Sequence, residues 1–377
     1  MSNWPGKYVI GLTGNIATGK SVVRRMLEHL GAYTIDADTL SHRAIAKGAP
    51  GYKPVVEAFG KFILDASGEI DRAKLGRLVF SNPDALEDLE SIIHPLVERA
   101  VDLMIRRASQ RVIVIEAIKL LEGKLVSECD TLWATFAPES IQKARLMKKR
   151  GMTEREAIQR IQSQPPQEGK IAAADVVIHN AGSFDDTWKQ VLAAWKVVSP
   201  VTDTSPAILY KAGAGELAVQ RGRPRDSADI STLITRLSGG IRPLSPDDVM
   251  AAFGDKAFLL LMNDKQLVGL AGWQVENLVS RTTDLYLDPG ITIAPALRAL
   301  VTEIERSSLD LQCEASLLFI PLQLAAQDDD WKKMGYTRRT PLTLGVQAWQ
   351  DAALESQPSN TILFFKQLRM ERVFRPI

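Results

Sequence analysis

Eight residues near the start, Gly14-Asn15-Ile16-Ala17-Thr18-Gly19-Lys20-Ser21, fill every fixed position of the pattern G-x-x-x-x-G-K-[ST]. Few local sequences limit a fold more tightly, because this loop works only between a β-strand and the N-terminus of a helix. Both flanks are present. Tyr8-Val9-Ile10-Gly11-Leu12-Thr13 is an apolar β-run, and Val23, Met26, Leu27 and Leu30 fall on one helical face that Gly31 is placed to close. The glycines let the backbone wrap an anion, and amides from Gly14 to Val22 at the helix start donate to phosphate oxygens. Lys20 is placed for the β and γ phosphates and the Ser21 hydroxyl for Mg²⁺. The expected ligand is a nucleoside triphosphate.

A chain of 377 residues exceeds one ordinary α/β domain, so two are expected. Up to Val198, β-branched runs at 8–13, 32–35, 112–116, 131–136 and 176–178 alternate with helical patterns. That alternation predicts a parallel sheet with helices on both faces and phosphate chemistry at the carboxyl ends of its strands. Residues 199–206, rich in Ser, Thr and Pro, read as a linker between a unit at 1–198 and a second at 207–377. A formal net charge of +1 gives no electrostatic case for nucleic acid or an anionic membrane. No apolar run reaches the roughly 18 residues of a membrane span. The first residues lack a signal-peptide core, and Cys129 and Cys313 have neither metal nor disulfide spacing. A cytoplasmic protein is expected, with no prediction of its oligomeric state.

The second run ends in Ile35-Asp36-Ala37-Asp38. Residues two apart on a strand end share a face, so both carboxylates are expected to point one way. A carboxylate beside a phosphate loop can take the proton of an attacking hydroxyl or hold Mg²⁺ through water. An Asp there also suits the N-cap of the following helix.

From residue 8 to 195 the chain resembles the dephospho-CoA kinases. The resemblance rests on the loop, then Ile35–Asp38, His42 and Lys47-Gly48-Ala49-Pro50. It continues through Phe59-Gly60, Gly68-Glu69-Ile70-Asp71-Arg72, Leu78-Val79-Phe80, Ile92-Ile93-His94-Pro95 and Asp175–Asn180. It implies ATP and Mg²⁺ as cofactors and dephospho-CoA as a small-molecule substrate. Asp38 would be the general base toward the ribose 3′-hydroxyl, with Asp36 and His42 on the substrate side. The helix bearing Gln142, Arg145, Lys148, Lys149 and Arg150 is similar to the family's lid, with Arg145 as the catalytic cation and Lys149 as a second contact. Thr153 and Glu156 spell a capping box for the next helix, which Pro165-Pro166 ends. Two departures stand out. After Glu116, which keeps an acid for Mg²⁺ at the strand end, Ile118 and Lys119 replace a proline and an apolar residue. Lys149 stands for an arginine and loses its bidentate fork. His94 before Pro95 is expected to fix a loop.

The second unit resembles a GNAT-type acetyltransferase from about Leu217 onward. A helix carries Ile230, Leu233, Ile234 and Leu237. A hairpin pairs 257–262 with 267–275, and a strand at 283–287 leads to a helix at 295–306. The family's pyrophosphate loop, Q/R-x-x-G-x-G/A, is absent. Asp288-Pro289-Gly290-Ile291-Thr292-Ile293-Ala294-Pro295-Ala296 stands there, with one glycine, a second proline and β-branched residues that resist a tight turn. A non-catalytic accessory domain is expected. The acidic run Asp328–Asp330 suits a helix start. The expected architecture is therefore α/β, a P-loop kinase with a parallel sheet and helical lid, followed by a GNAT-like α+β domain. Two other functions remain at this level: a kinase for a nucleoside or nucleotide, and an ATP-binding regulatory protein.

Overall fold

The computed structural model describes residues 4–199, 208–211, 216–264, 266–326, 328–370 and 373; the side chains of Phe80, Lys149, Asp328 and residues 208–211 and 216 lie outside that description. All of the expected linker except Ser199 lies outside it as well.

In the first unit, strands β1 (Tyr8–Thr13), β2 (Tyr33–Asp36), β3 (Val112–Glu116), β4 (Thr131–Phe136) and β5 (Val176–His179) form one sheet in the order β2-β3-β1-β4-β5. Every pairing is parallel. Around it stand α1 (Lys20–His29), α2 (Ala37–Ala44), α3 (Tyr52–Phe59), α4 (Arg72–Phe80), α5 (Pro83–Arg107), α6 (Glu139–Arg150), α7 (Glu154–Gln162), α8 (Gln167–Ala173) and α9 (Phe184–Val198). The strands are apolar on both faces because both are covered. Ile10, Leu12 and Trp133 pack with Val23, Met26 and Leu27 of α1 and Val191 and Trp195 of α9. Val9, Ile35, Ile113 and Ile115 pack toward α2 and α5 on the other face. The registers Leu12↔Glu116 and Asp36↔Glu116 bring the carboxyl ends of β1, β2 and β3 level. His94 corrects one expectation. It lies exposed within the 25-residue helix α5, with Pro95 inside that helix, and fixes no loop.

The second unit is a mixed sheet of β6 (Ile208–Lys211), β7 (Glu216–Arg221), β8 (Ala257–Asn263), β9 (Gln266–Glu276), β10 (Val279–Leu287), β11 (Ala315–Pro321), β12 (Thr337–Arg339) and β13 (Thr361–Gln367). Its order is β12-β13-β11-β10-β9-β8-β7-β6. The helices are α10 (Ser227–Leu237), α11 (Pro246–Ala252), α12 (Ile293–Asp310), α13 (Leu322–Ala325), α14 (Asp328–Lys333) and α15 (Gln347–Ser356). Only β10 and β11 pair in parallel, from Val279↔Ala315 to Thr282↔Leu318; beyond Thr282 that pairing ends and β10 is bulged against β9. A crossover connection is what parallel neighbours require, and the long helix α12 supplies it. Strand β10 begins four residues earlier than the sequence pattern predicts.

The two units meet. Strand β2 is the edge of the first sheet, and the turn joining β9 to β10 packs beside it. Asn277 and Leu278 both have left-handed backbone, at φ 55° and 59°. Such a pair matches the twist of a two-residue hairpin, but a leucine there costs about 1–2 kcal/mol. The Leu278 side chain is buried in the apolar cluster of the first unit, with Ile35, Leu40 and Met104. Full burial of a leucine is worth about 1.5–3 kcal/mol, enough to offset the strain. Five polar contacts join the units around it. Arg43 of α2 donates to the Asn277 carbonyl at 3.0 Å and to Glu314 Oε2 at 2.7 Å. Gln312, also left-handed at φ 59°, donates to the Met104 carbonyl at 2.8 Å. Arg221 reaches the Glu28 carbonyl at 3.4 Å, and His29 Nε2 lies 2.9 Å from the Phe253 carbonyl.

Candidate active site

The loop after β1 has the shape its glycines permit. Gly14 and Gly19 have positive φ, at 150° and 99°. A Cβ on Gly14 would lie 2.3 Å from Thr135 Oγ1, and one on Gly19 would lie 1.8 Å from Asn180 Nδ2. Ala17 is left-handed without being glycine, at φ 59°. Other elements hold the loop by its remaining groups. The Thr18 hydroxyl contacts that of Thr135 at 2.7 Å, and Asn180 Nδ2 donates to the Thr18 carbonyl at 2.9 Å. Asn15 Nδ2 donates to the Pro165 carbonyl, and the Ile16 amide donates to Gln164 Oε1 at 2.7 Å. Lys20 Nζ donates to the Gly14 carbonyl at 2.9 Å, spanning the cradle. Burial lowers its pKa, against the charges of Glu116, Asp38 and Asp36.

Asp36 and Asp38 do not share a strand face. The strand ends at Asp36, which becomes the N-cap of α2 and accepts from the Thr39 amide at 2.9 Å. Asp38 lies in the first turn of that helix, and its Oδ2 accepts from the Ile118 amide at 3.0 Å. Although β3 separates β2 from β1, the Asp38 carboxylate remains within the field of Lys20. Burial, then the like charge of Asp36, raise its pKa. Ile118 contributes through its backbone: the amide that binds Asp38 is a donor a proline would lack. Lys119 answers its substitution differently, pairing with Glu90 at 2.9 Å on the surface.

Ser21 Oγ donates to Glu116 Oε1 at 3.3 Å, so two hard oxygen ligands stand side by side. Burial raises the Glu116 pKa, against the pull of Arg24, whose Nε lies 2.6 Å from the other carboxylate oxygen. Among the described residues no group of three or more His, Cys, Asp and Glu could hold a metal. A pair of oxygens still suits Mg²⁺, which commonly takes one or two protein ligands and leaves the rest to phosphates and water. Arg145 reaches inward from α6, donating to the Ala17 carbonyl at 3.1 Å and the Asn180 carbonyl at 2.8 Å. Lys149 is on the same helix with its side chain outside the description. His42 is exposed on α2, its pKa lowered by desolvation and by Arg72.

Several participants gave no signal in the sequence. Lys170 of α8 is buried, bonding Asn15 Oδ1 at 3.0 Å and the Ile118 carbonyl at 2.8 Å, and so ties the phosphate loop to the Asp38 partner. Asn180 ends the Asp175–Asn180 stretch, where no spacing points to its bond with the Thr18 carbonyl. A buried network of Arg24, Arg25, Glu28 and Thr34 stands behind Glu116; despite burial, Arg25 and Arg24 hold the Glu28 pKa down at about 2.

A family model described as dephospho-CoA kinase matches residues 8–186. The dephospho-CoA kinase of Carboxydothermus hydrogenoformans is 43% identical over 194 residues, covering 50% of this chain and 94% of that protein. That of Aquifex aeolicus is 43% identical over 183 residues, covering 48% and 93%. The chain belongs to the dephospho-CoA kinase family. Its first half accounts for the membership. TT1252 from Thermus thermophilus is similar at 30% identity, with 52% of this chain and 99% of that chain covered and a TM-score of 0.46. The second half matches the ribosomal-protein-S18-alanine N-acetyltransferase from Escherichia coli at 13% identity, 41% and 96% coverage and a TM-score of 0.32. The description of this unit rests on its own strand order. At its α12 start, Thr292 makes no side-chain cap and Pro295 withholds an amide, while Asp288 is paired with Arg236.

Proposed function

We propose that this chain transfers the γ-phosphoryl group of ATP to the ribose 3′-hydroxyl of dephospho-CoA, giving coenzyme A and ADP. One observation supports the chemistry above the others: a half-buried Asp38, held by the Ile118 amide, lies within the electrostatic field of Lys20 of the phosphate loop. Asp38 takes the hydroxyl proton as the oxygen bonds to the γ-phosphorus and the bond to the ADP oxygen breaks. Its elevated pKa makes it a stronger base once deprotonated. Lys20 and the loop amides bind the phosphates, and Arg145 pins the loop carbonyls from the lid side. Lid closure then brings the cations of α6 toward the developing charge. Ser21 and Glu116 would hold Mg²⁺, which would neutralise charge on the β and γ phosphates. Asp36 sets the start of α2 and so aims Asp38, and His42 lies farther along that helix on the acceptor side.

The division into a kinase unit at 1–198 and an accessory unit at 207–377 belongs to the same proposal. The accessory unit is assigned no acetyl transfer, because α12 opens without the converging amides that pyrophosphate capture needs. The test is ATP consumption with Mg²⁺ and dephospho-CoA, beside adenosine and nucleoside monophosphates. Dephospho-CoA should be the preferred acceptor. Equal or faster turnover with a nucleoside or nucleotide overturns the assignment.

A further inference from the structure

The contact between the two units falls on the helix that presents the proposed base. Helix α2 is only eight residues long, from Ala37 to Ala44. Asp38 lies near its start and Arg43 near its end. Arg43 is mostly buried and has both its contacts in the second unit, the Asn277 carbonyl and the fully buried Glu314 carboxylate. Leu278 fills the space beside Leu40 of the same helix. Among the described residues, six non-glycine residues have positive φ, and three of them, Asn277, Leu278 and Gln312, are at this seam. Backbone in that region persists only where its surroundings over-determine it. A cavity of about 40 Å³ is lined by Asp36, Thr39 and Arg43 on one side and Asn277 and Leu278 on the other. That admits a few water molecules and no organic ligand. The seam is a joint.

We propose that the Asn277–Leu278 turn and Glu314 brace α2, and that Arg43 is thereby a positioning residue of the phosphoryl-transfer reaction. The turn wedges the helix against the first unit's core, and the Arg43–Glu314 pair stops it rotating about its axis. Without them α2 is held by its apolar face and the single Asp38–Ile118 bond. Asp38 then loses its alignment to the Ile118 amide and to the acceptor hydroxyl. The brace rests on the assignment of Asp38 as base. It adds a dependence of kinase chemistry on the second unit that the phosphate loop does not share.

The test uses the full chain with the substitutions Leu278→Gly, Glu314→Gln, Arg43→Ala and Arg43→Lys. Leu278→Gly relieves the left-handed strain while removing the wedge, and Glu314→Gln keeps shape while removing charge. The reads are kcat and KM with dephospho-CoA, the Kd of a non-hydrolysable ATP analogue, and thermal stability. The brace predicts a kcat lowered about 10- to 100-fold, in line with the cost of misplacing a reacting group by about 1 Å. The analogue should bind unchanged, and Arg43→Lys should recover part of what Arg43→Ala loses. Unchanged kcat overturns the brace. So does a loss that runs in parallel through kcat, analogue affinity and stability, because that is a folding defect. Asp38→Asn in the same series separates the layers. Wild-type turnover there removes the base assignment and the brace together. A loss there, with unaffected Leu278→Gly and Glu314→Gln, removes the brace alone.

Discussion

Asp36 and Asp38 show how much one residue of helix can change. In a strand they would be equivalent, but the chain turns helical at Ala37, so one caps and the other, in the first turn, binds the Ile118 amide. Lys20→Ala is expected to cost more than Asp38→Asn. Lys20 meets charge both in nucleotide binding and in the transition state, whereas a general base contributes about 10²–10⁴-fold. In a loose phosphoryl-transfer transition state, early proton removal is not obligatory. Steady-state kinetics decide: an Asp38→Asn enzyme keeping more than about a tenth of wild-type turnover, well under that contribution, has lost no base. Ile118 supplies a finer test. Its amide stabilises the ionised form of Asp38 and so lowers a pKa that burial raises. Activity requires the carboxylate and falls as pH falls through that pKa. Ile118→Pro removes the donor, so the acid limb of the kcat profile should move to higher pH; an unmoved limb sinks the claim. The phosphate-loop spacing marks Lys20 and Ser21 in the sequence, whereas Asp38 and Arg145 are singled out by the family resemblance. The sequence hid Lys170 and Asn180, whose role is to bond particular carbonyls that only the folded chain brings near.

At the scale of elements, the alternating β-runs foretold the parallel sheet well because buried parallel strands must be continuously apolar. The hairpins were less legible. Asn277-Leu278 is no standard turn dipeptide, since leucine is a poor candidate for a positive φ, and the sequence pattern starts the following strand at Thr283 where the structure starts it at Val279. Only the apolar site awaiting Leu278 in the other unit makes that turn favourable. Helix α1 spans both concerns: Lys20 opens it at the phosphate loop, and His29 closes it at the Phe253 carbonyl. Burial, then Arg221, lower the His29 pKa from 6.5 to about 4. Between those values the unfolded chain binds a proton that the folded chain refuses, so stability falls as pH falls from 6.5 toward 4 and levels off below. At about 1.4 kcal/mol per pK unit, the loss reaches roughly 3 kcal/mol. Thermal melts across that range should show His29→Gln losing much less on acidification than the wild type. Equal slopes would mean that His29 titrates normally in the folded chain.

Across the whole molecule, the seam sets how the two units unfold. Removing one partner of a buried ion pair costs about 3–5 kcal/mol, because the survivor keeps its charge without water, and Arg43–Glu314 is such a pair. Separation of the units also exposes Leu278 and the apolar site that holds it. These terms are large beside the 5–15 kcal/mol stability of a typical domain. Neither unit should therefore melt without the other. An ATP analogue with Mg²⁺ at about 100 times its Kd adds about 2.7 kcal/mol to whatever unfolds with its site. If the seam couples the units, calorimetry of the full chain gives one transition, and the analogue raises all of it. Hydrogen exchange should then report slower opening at Leu278 and Gln312, although neither touches the phosphate loop. Two transitions, with only one moved by the analogue and no change in exchange at those amides, would mean that the second unit merely adjoins the kinase. Glu314→Gln tests the cause: by weakening the pair it should split a single transition toward two, and the nucleotide-sensitive component should belong to the first unit.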